Sequence, residues 1–322
     1  MTSRSAEHAG SWYTDKENKL DEELSSYLDA VVPSSEFAPP IQKCKAIIAP
    51  HAGYSYSGPA AAWAYKSINT TGIKRVFILG PSHHLPLDGC ALSMCTEYQT
   101  PIGNLQLDLE TIQELRNTRL FNDLQLDDDE AEHSIEMHLP YVRKIFNKQD
   151  AQDIKIIPIV VGSIQKEKEE KFGAVLAPYL AKDDTLFVIS SDFCHWGTRF
   201  QYTYYTPGDG QAAIRLSRSH HPPSTGYPIH ESISALDHEA MEILTMPPNT
   251  GVSAHHYFAE YLARTKNTIC GRHPIGVLLG ALAVLGKTGT TATLQWVRYE
   301  QSSQCVTIHD SSVSYASAYV TL

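Results

Sequence analysis

The sequence has few charged residues, no cluster of basic side chains and no long hydrophobic run. Charged residues make up 19% of its 322 residues, and 26 Lys and Arg against 36 Asp and Glu give a formal net charge of −10 at pH 7. Without a basic tract, the sequence predicts no positive surface to attract a nucleic acid or an anionic membrane, so we expect neither partner. The longest apolar stretch, residues 274–286, is shorter than the roughly 20 residues that span a bilayer and predicts a buried helix.

The chain also lacks an apolar signal-peptide core near residue 1 and any C-x-x-C motif. The first absence predicts a cytoplasmic protein whose six cysteines stay reduced, with entry into the nucleus left open. The second argues against a zinc ribbon or a thioredoxin-type site. Hydrophobic residues, at 42%, are plentiful enough for a large core.

Three short apolar segments each run into a polar loop that contains histidine. The predicted strands are residues 45–49, 75–79 and 185–189, and the loops that follow contain His51, His83 with His84, and Asp192 with His195. Strands without polar alternation are buried on both faces, which predicts a sheet with helices on each side. Ligands bind beyond the carboxyl ends of such strands, so the three loops should converge on one site if the strands are neighbours.

Alternating strands and helices predict an α/β fold, with one domain over residues 1–322 and a central, mostly parallel or mixed sheet flanked by helices on both faces. The predicted helices include an apolar stripe at residues 20–31 and segments 58–68, 109–117, 134–147, 166–181, 232–244, 254–264 and 274–285. Further strands are predicted at residues 154–161, 292–299 and 314–320. Residues 206–229 are interpreted as an inserted surface loop.

Two local signals concern the ends and edges of these elements. Thr14-x-x-Glu17 fits a capping box and predicts Thr14 as the N-cap of the first helix. Pro158 has no backbone N–H, so it predicts a bulge or a sheet edge in the strand at residues 154–161.

Histidines from separate loops, together with a carboxylate or a thiolate, are typical of a metal site, and the candidates are His51, His83, Asp192, His195 and a cysteine. Two ligand sets fit. His51, His83 and Asp192 form a two-histidine, one-carboxylate set that leaves open positions for O₂ or substrate on Fe(II). Two histidines with a cysteine form a softer set, which suits copper or zinc and still accepts iron.

Cys270 is the cysteine best placed for such chemistry. It lies directly before an apolar helix with Pro274 in its first turn. The helix dipole and the neighbouring Arg272 are expected to favour the thiolate, which binds metals or attacks electrophiles. The other cysteines beside apolar strands are interpreted as inert core residues: Cys44, Cys90 and Cys95.

The segment Glu132-His-Ser-Ile-Glu-Met-His138 is a further cluster of polar groups. His133 and Glu136 are three residues apart, so on a helix they would share a face and could pair near the site. A polar helix start rich in capping groups explains the segment nearly as well. His138 is retained as a candidate pocket residue.

Several segments together resemble the signature blocks of the Memo family, named for a mediator of receptor-tyrosine-kinase-driven cell motility. They are HAGSWY at 8–13, APHAGY at 49–54, LGPSHH at 79–84, EHSIEMH at 132–138, SSDFCHWG at 190–197, CGRHPIG at 270–276, QSSQC at 301–305 and DSSVSYA at 310–316. The resemblance covers nearly the whole chain. It implies a fold similar to class III non-haem iron extradiol dioxygenases, the LigB-like proteins.

The resemblance also implies a set of site residues. His51, His83 and Cys270 would bind iron or copper, with Asp192 and His195 beside them in the same pocket. The remaining candidates are the pocket residue His138 and the ligand or peptide contacts Trp12, Tyr54, His84 and Arg272. Dioxygenase relatives use a Glu where Cys270 stands here, which weighs against ring cleavage.

Three functions follow. The first is a redox protein that binds copper or iron and controls metal or reactive oxygen, with a place in cell motility or cytoskeletal signalling. The second is a dioxygenase that acts on a small aromatic molecule with O₂, with His195 or His138 as acid or base. The third is an adaptor that binds a phosphotyrosine-containing peptide or signalling protein in the same pocket. Hydrolysis with Cys270 as nucleophile is a lesser alternative, because it leaves the other histidines and Asp192 without a role.

Overall fold

The computed structural model describes residues 2–146, 154–208, 211–217, 222 and 227–322. Its helices are α1 Glu17–Asp29, α2 Tyr54–Lys66, α3 Leu109–Asn117, α4 Leu126–Ala131, α5 His133–Glu136, α6 Leu139–Ile145, α7 Lys166–Leu180, α8 Ile229–Leu244, α9 Gly251–Thr265 and α10 Arg272–Lys287. Its strands are β1 Ser3–Arg4, β2 Cys44–Ala49, β3 Arg75–Pro81, β4 Cys90–Ser93, β5 Glu97–Tyr98, β6 Leu105–Leu107, β7 Phe121–Leu124, β8 Lys155–Val161, β9 Thr185–Ser190, β10 His195–Trp196, β11 Tyr204–Tyr205, β12 Ile214–Arg215, β13 Thr293–Gln301 and β14 Ser312–Thr321.

The centre of the fold is a run of four parallel strands in the order β8, β3, β9, β2. Antiparallel strands extend it, because β14 pairs with β2, β13 pairs with β14, and β4 pairs with β8. Every residue of β2 and β9 is buried, as strands covered on both faces require. The predicted α/β class, with a mixed sheet flanked by helices, is confirmed.

Two groups of helices pack on the sheet near the strands that carry the candidate site. α7 and α10 lie against each other and contact β9. α2 contacts β2, β13 and β14. The apolar segment at residues 274–286 falls within α10, a largely buried helix. In the part of the chain that the structure describes, no helix has the length and hydrophobicity needed to span a membrane.

The predicted capping box of the first helix is wrong. α1 begins at Glu17 after Lys16, without a side-chain cap. Thr14 instead accepts a hydrogen bond at its Oγ1 from the backbone N–H of Lys16, at 3.3 Å. A hydroxyl oxygen that accepts from the N–H two residues later closes a local turn ahead of the helix, and this turn replaces the cap.

Pro158 does not mark an edge or a bulge, contrary to the sequence expectation. β8 lies inside the sheet, in unbroken parallel register with β3. On its other side β6 pairs with the start of β8, and β4 pairs from Ile159 onward. Pro158 lies between these two partners, so its missing N–H removes no ladder hydrogen bond.

Two predicted helices differ most from the helices that the structure shows. The helix expected at 134–147 is two short helices, α5 and α6, because Pro140 in the first turn of α6 cannot continue the preceding helix. The helix expected at 58–68 starts four residues earlier, at Tyr54, and contains Pro59. Residue 147 and several residues of the predicted insertion at 206–229 lie outside the described residues.

A close contact between α7 and α10 gives a test of this packing. A Cβ on Gly173 would lie 2.5 Å from the backbone nitrogen of Ala281. We therefore expect Gly173→Ala to lower the free energy of unfolding by about 1–3 kcal/mol, the usual cost of overpacking. Urea unfolding followed by circular dichroism measures this value.

Gly286 in α10 is the matched control, because a Cβ on Gly286 would have no atom within 4 Å. Gly286→Ala should leave stability unchanged or raise it by up to about 1 kcal/mol through helix propensity. Equal stability of the two variants would contradict the described α7–α10 packing.

Candidate metal centre

The three histidine loops meet because their strands are neighbours. β3, β9 and β2 are adjacent and parallel, so their carboxyl ends lie side by side. His83, Asp192 and His51 each follow two residues after one of these strands. The predicted convergence of the loops is confirmed by this strand order.

A thiol from a fourth segment joins the two histidines. Donor atoms of His51, His83 and Cys270 all lie within 4.8 Å of one another. Cys270 lies two residues before α10, and Gly271 donates its N–H to Ser191 Oγ at 3.1 Å. A Cβ on Gly271 would lie 2.3 Å from the carbonyl oxygen of Ser190. Glycine at 271 therefore permits the close approach that brings Cys270 to the strand ends.

Hydrogen bonds fix the ring of His51 with one nitrogen free. Ser190 Oγ donates to the carbonyl of Ser134 at 2.8 Å, so toward His51 it acts as an acceptor. His51 Nδ1, 2.6 Å away, must then be the donor. The lone pair of Nε2 remains, and it faces Cys270 Sγ at 3.2 Å. Burial, and next the nearby His83, lower the pKa of His51 well below its ordinary value, so the ring is neutral and suited to metal ligation.

Glu132 orients His83 in the same manner. One carboxylate oxygen lies 2.8 Å from His83 Nδ1 and the other accepts the His83 backbone N–H at 2.6 Å. Burial alone would raise the pKa of Glu132, but the hydrogen bonds with His83 outweigh it and hold the pKa at about 2. An ionised Glu132 requires a proton on Nδ1, so Nε2 is the His83 nitrogen left to bind a metal. Carboxylate–histidine pairs of this kind are common behind metal ligands.

Cys270 is a neutral thiol in the metal-free protein, so the expected thiolate is wrong. Burial, and then the neighbouring Asp192, raise the pKa of Cys270 well above its ordinary value. The backbone N–H of Gly271 and the charge of Arg272 act in the predicted direction, but burial outweighs them. A cation at Sγ would reverse this balance, because metal ions displace thiol protons.

Asp192 is buried beside the same three residues and accepts the backbone N–H of His51 at 2.8 Å. Burial raises its pKa to about 7, against the hydrogen bonds from His51 and Ala52. A carboxyl group with this pKa exchanges a proton near neutral pH. Asp192 is thus a candidate proton carrier as well as a candidate ligand.

His195 and His138 each have a buried Nε2 without a hydrogen-bond partner among the described residues. The ring of His195 packs edge-on against Phe200, and burial, His83 and Arg199 lower its pKa to about 4. His138 is fully buried, with Nδ1 2.7 Å from the hydroxyl of Tyr65, and burial lowers its pKa to about 3. Both rings are neutral at physiological pH.

A second donor group, His83, Glu132 and His133, shares one residue with the first. It fits a metal less well. The rings of His83 and His133 are nearly parallel, at 19° and 4.4 Å between centroids, so lone pairs in their planes do not converge. Glu132 is already held by His83 Nδ1. His133 also stacks on Trp12 at 4.3 Å, and this column of three rings covers one side of the centre.

The pairing of His133 with Glu136, one interpretation of the sequence, does not form. Glu136 instead accepts hydrogen bonds from Arg4 at 2.7 Å, from the ring of His8 at 2.9 Å and from the hydroxyl of Tyr13 at 2.8 Å. Arg4 is fully buried and its pKa is raised, because the opposing charges of Glu136 and Asp129 outweigh the effect of burial. Glu136 therefore fastens the N-terminal segment that carries Trp12.

The remaining candidate contact residues lie in different environments. Trp12 is 36% exposed at the rim, and His84 is exposed near His133. Tyr54 is buried and donates its hydroxyl to the carbonyl of Met137 at 2.8 Å. Arg272 lines a separate cavity with His255 and His273. The structure thus brings Trp12 and His84 near the ligand histidines, while Tyr54 supports the fold.

Sequence reasoning missed the residues that orient the ligands, Glu132 and Ser190. Both stand inside motifs that the sequence makes conspicuous, EHSIEMH and SSDFCHWG. Their roles depend on contacts across 49 and 139 residues of chain. Spacing within a motif carries no signal for such contacts.

The residues present fit a transition metal. Two imidazoles whose Nδ1 atoms are bonded elsewhere and one thiol form a borderline-soft ligand set of the kind that binds copper, zinc or iron. The His83 side chain is 27% exposed, which leaves one side of the centre open to solvent. Together, the sheet and this cluster define an α/β protein with a candidate histidine–cysteine metal centre at its strand ends.

Comparison with known proteins gives the family. The Memo-like protein family matches residues 4–319. "Protein MEMO1" of Homo sapiens is 43% identical over 319 residues, which cover 99% of this chain and 97% of that protein. "Protein MEMO1" of Danio rerio is 44% identical over 317 residues. "Protein memo-1 homolog" of Caenorhabditis elegans is 40% identical over 316 residues, covering 98% of this chain and 81% of that protein. The chain belongs to the Memo family.

A solved structure is also similar in part. The crystal structure of the uncharacterized protein JW3007 from Escherichia coli K12 covers 84% of this chain and 98% of its own, with a TM-score of 0.44 and 13% sequence identity.

The Glu132–His83 pair predicts a pH-dependent loss of stability. A pKa of about 2 in the folded state lies below that of an unfolded Glu, so the pair stabilises the fold above about pH 4.5 by on the order of 3 kcal/mol. This contribution is lost as the pH falls through about 2. Glu132→Gln should therefore lower the free energy of unfolding at pH 7, and the deficit should be about half as large at pH 3.

Urea unfolding at both pH values tests this prediction, with Glu36→Gln, an exposed loop position, as the control. A Glu132→Gln protein as stable as the wild type at pH 7 would contradict it.

Proposed function

We propose that this Memo-family protein is a redox protein that binds iron or copper through His51, His83 and Cys270. The observation that carries the proposal is the convergence of their donor atoms within 4.8 Å. The hydrogen bonds of Ser190 and Glu132 support it, because they leave Nε2 free on both rings. A preorganised donor set of this kind lowers the cost of binding a metal.

A bound iron or copper ion would supply one-electron chemistry and an open position for O₂ or another small ligand. The protein's own groups support such a ligand. Asp192, with a pKa of about 7, can hold or release a proton beside the thiol. His195 Nε2 has no partner in the described structure and can accept a hydrogen bond. We assign these two residues to orienting the ligand and its protons.

The proposal also includes the cellular location and the biological role of the protein. All six cysteines are free, and most are buried, which supports a reducing compartment such as the cytoplasm or the nucleus. Membership in the Memo family supports a role in cell motility or cytoskeletal signalling, in which the centre controls metal or reactive oxygen.

Calorimetric titration of the apoprotein with Fe(II) or Cu(I) under anaerobic, reducing conditions tests the metal centre. We expect one ion per chain, with affinity reduced at least 100-fold in Cys270→Ser and in His51→Asn, since each loses one of three ligands. His256→Asn is the control, because His256 lies exposed on α9. Undiminished affinity in both ligand variants would refute the centre.

Proton release gives a second test of the same site. The raised pKa of Cys270 means that the thiol is protonated at pH 8, so metal ligation must release its proton. Titrations in buffers of different ionisation enthalpy should report about one proton released per ion by the wild type. Cys270→Ser should release fewer, and equal release would show that the thiol is not a ligand.

A second candidate function, binding of a phosphotyrosine-containing peptide, is supported by a cavity beside the centre. Its volume is about 430 Å³, and its lining includes Ala52, which follows His51, and Phe200, which packs on His195. Arg199 supplies a positive charge, and the lining includes Ser302, Ser303, Ser311 and Ser312, of which Ser303 already donates its hydroxyl to the carbonyl of Ser311. Such groups suit a phosphate.

This candidate is tested by titrating a phosphotyrosine peptide and its unphosphorylated form. Binding in this cavity predicts preference for the phosphorylated peptide and an affinity loss of about 10-fold or more in Arg199→Gln. Equal affinity for the two peptides, or no effect of Arg199→Gln, would exclude this cavity as the phosphate site.

A further inference from the structure

A second cavity, of about 290 Å³, lies between α7, α9 and α10 and touches none of the three candidate metal ligands. The apolar lining residues include Ile164, Phe258 and Leu262. The cationic lining residues include Lys266 and Arg272. A cavity with an apolar wall and a few convergent polar groups is the usual form of a small-molecule site.

Part of the lining is a buried carboxylate held between two imidazoles. Glu169 Oε2 lies 2.7 Å from His255 Nε2, and Glu169 Oε1 lies 2.7 Å from His273 Nδ1. Burial would raise the pKa of Glu169, but the two imidazole hydrogen bonds outweigh it and lower the pKa. Glu169 is therefore ionised, and both its oxygens are occupied. It orients the two histidines and has no oxygen left for a cationic ligand.

His273 is left with an unmet hydrogen-bonding atom. Its Nδ1 bonds Glu169, while its Nε2 is buried and has no partner among the described residues. An unpaired buried polar atom costs about 1–3 kcal/mol, so its persistence in the lining of a cavity points to a partner that enters the cavity. With Nδ1 bonded to the carboxylate, Nε2 is the ring atom left for a partner that enters the cavity.

The charges of the cavity favour an anion. Lys166 is paired with Glu170. In the described ranges, Lys266 and Arg272 have no acidic partner, and Arg272 bonds only the carbonyl of Ile269. These two free positive charges stand in a protein whose formal net charge is −10. The single carboxylate among the lining residues, Glu169, is hydrogen-bonded to two imidazoles.

We propose that this cavity binds a small organic anion with a phosphate-type head group and an apolar body. Arg272 and Lys266 hold the charged oxygens, and an oxygen of the head group bonds His273 Nε2. The apolar body packs on Phe258 and Leu262. None of the lining residues is a candidate metal ligand, and the test uses metal-free protein.

Phenyl phosphate is the probe, because it combines a phosphate with an apolar ring of suitable size. Calorimetric titration at pH 6.5 should give binding that falls at least 10-fold in Arg272→Gln and in Lys266→Gln. Benzyl alcohol, which lacks the charge, should not bind. Ligand-to-protein nuclear Overhauser effects should connect the phenyl ring with the methyl groups of Leu262.

Arg199→Gln separates this site from the cavity beside the metal centre, and it should leave the Leu262 contacts and their affinity unchanged. Lys266 is exposed, so its variant tests the charge without disturbing the core. Absence of binding at millimolar phenyl phosphate, affinity unchanged in both charge variants, or contacts that vanish only in Arg199→Gln would overturn the proposal.

Discussion

Parallel pairing of three adjacent strands is the constraint on which the site depends. β3, β9 and β2 are held in one register by backbone hydrogen bonds and by helices on both faces. Each strand ends two residues before a polar side chain of the cluster. A change of partner or register in any of them would separate His51, His83 and Asp192, whatever the local motifs. The apolar strands that form the core therefore also bring the site residues together.

The hydrogen-bond partners of the two imidazole rings determine which ring nitrogen can bind a metal. Ser190 and Glu132 occupy the Nδ1 atoms of His51 and His83, and the free Nε2 atoms remain for an ion. Burial keeps Cys270 and Asp192 protonated to an unusual degree. Without a metal, the cluster therefore keeps its thiol protonated. A cation would reorganise it by displacing the thiol proton, which couples metal binding to pH.

Sequence patterns predicted the four central parallel strands, β13 and β14, most helices and the convergence of the histidine loops, because continuous apolar runs and strand-end motifs are local. They failed where distant contacts compete with local ones. The Thr14 capping box gave way to a turn, and Pro158 fell between two partner strands. The prediction of a thiolate at Cys270 failed because burial raises the pKa of the thiol, and sequence spacing does not report burial. The pairing of Glu132 with His83 could not be predicted either, because these residues are distant in the sequence. The same holds for the cavity lined by Arg272.

In the proposed centre, one sulfur and two imidazole nitrogens bind a single ion. X-ray absorption spectroscopy at the iron or copper edge of the loaded protein measures this ligand set. We expect a first shell with one sulfur scatterer and two histidine nitrogens, and loss of the sulfur in Cys270→Ser. A first shell of nitrogen and oxygen alone in the wild type, unchanged by Cys270→Ser, would contradict it.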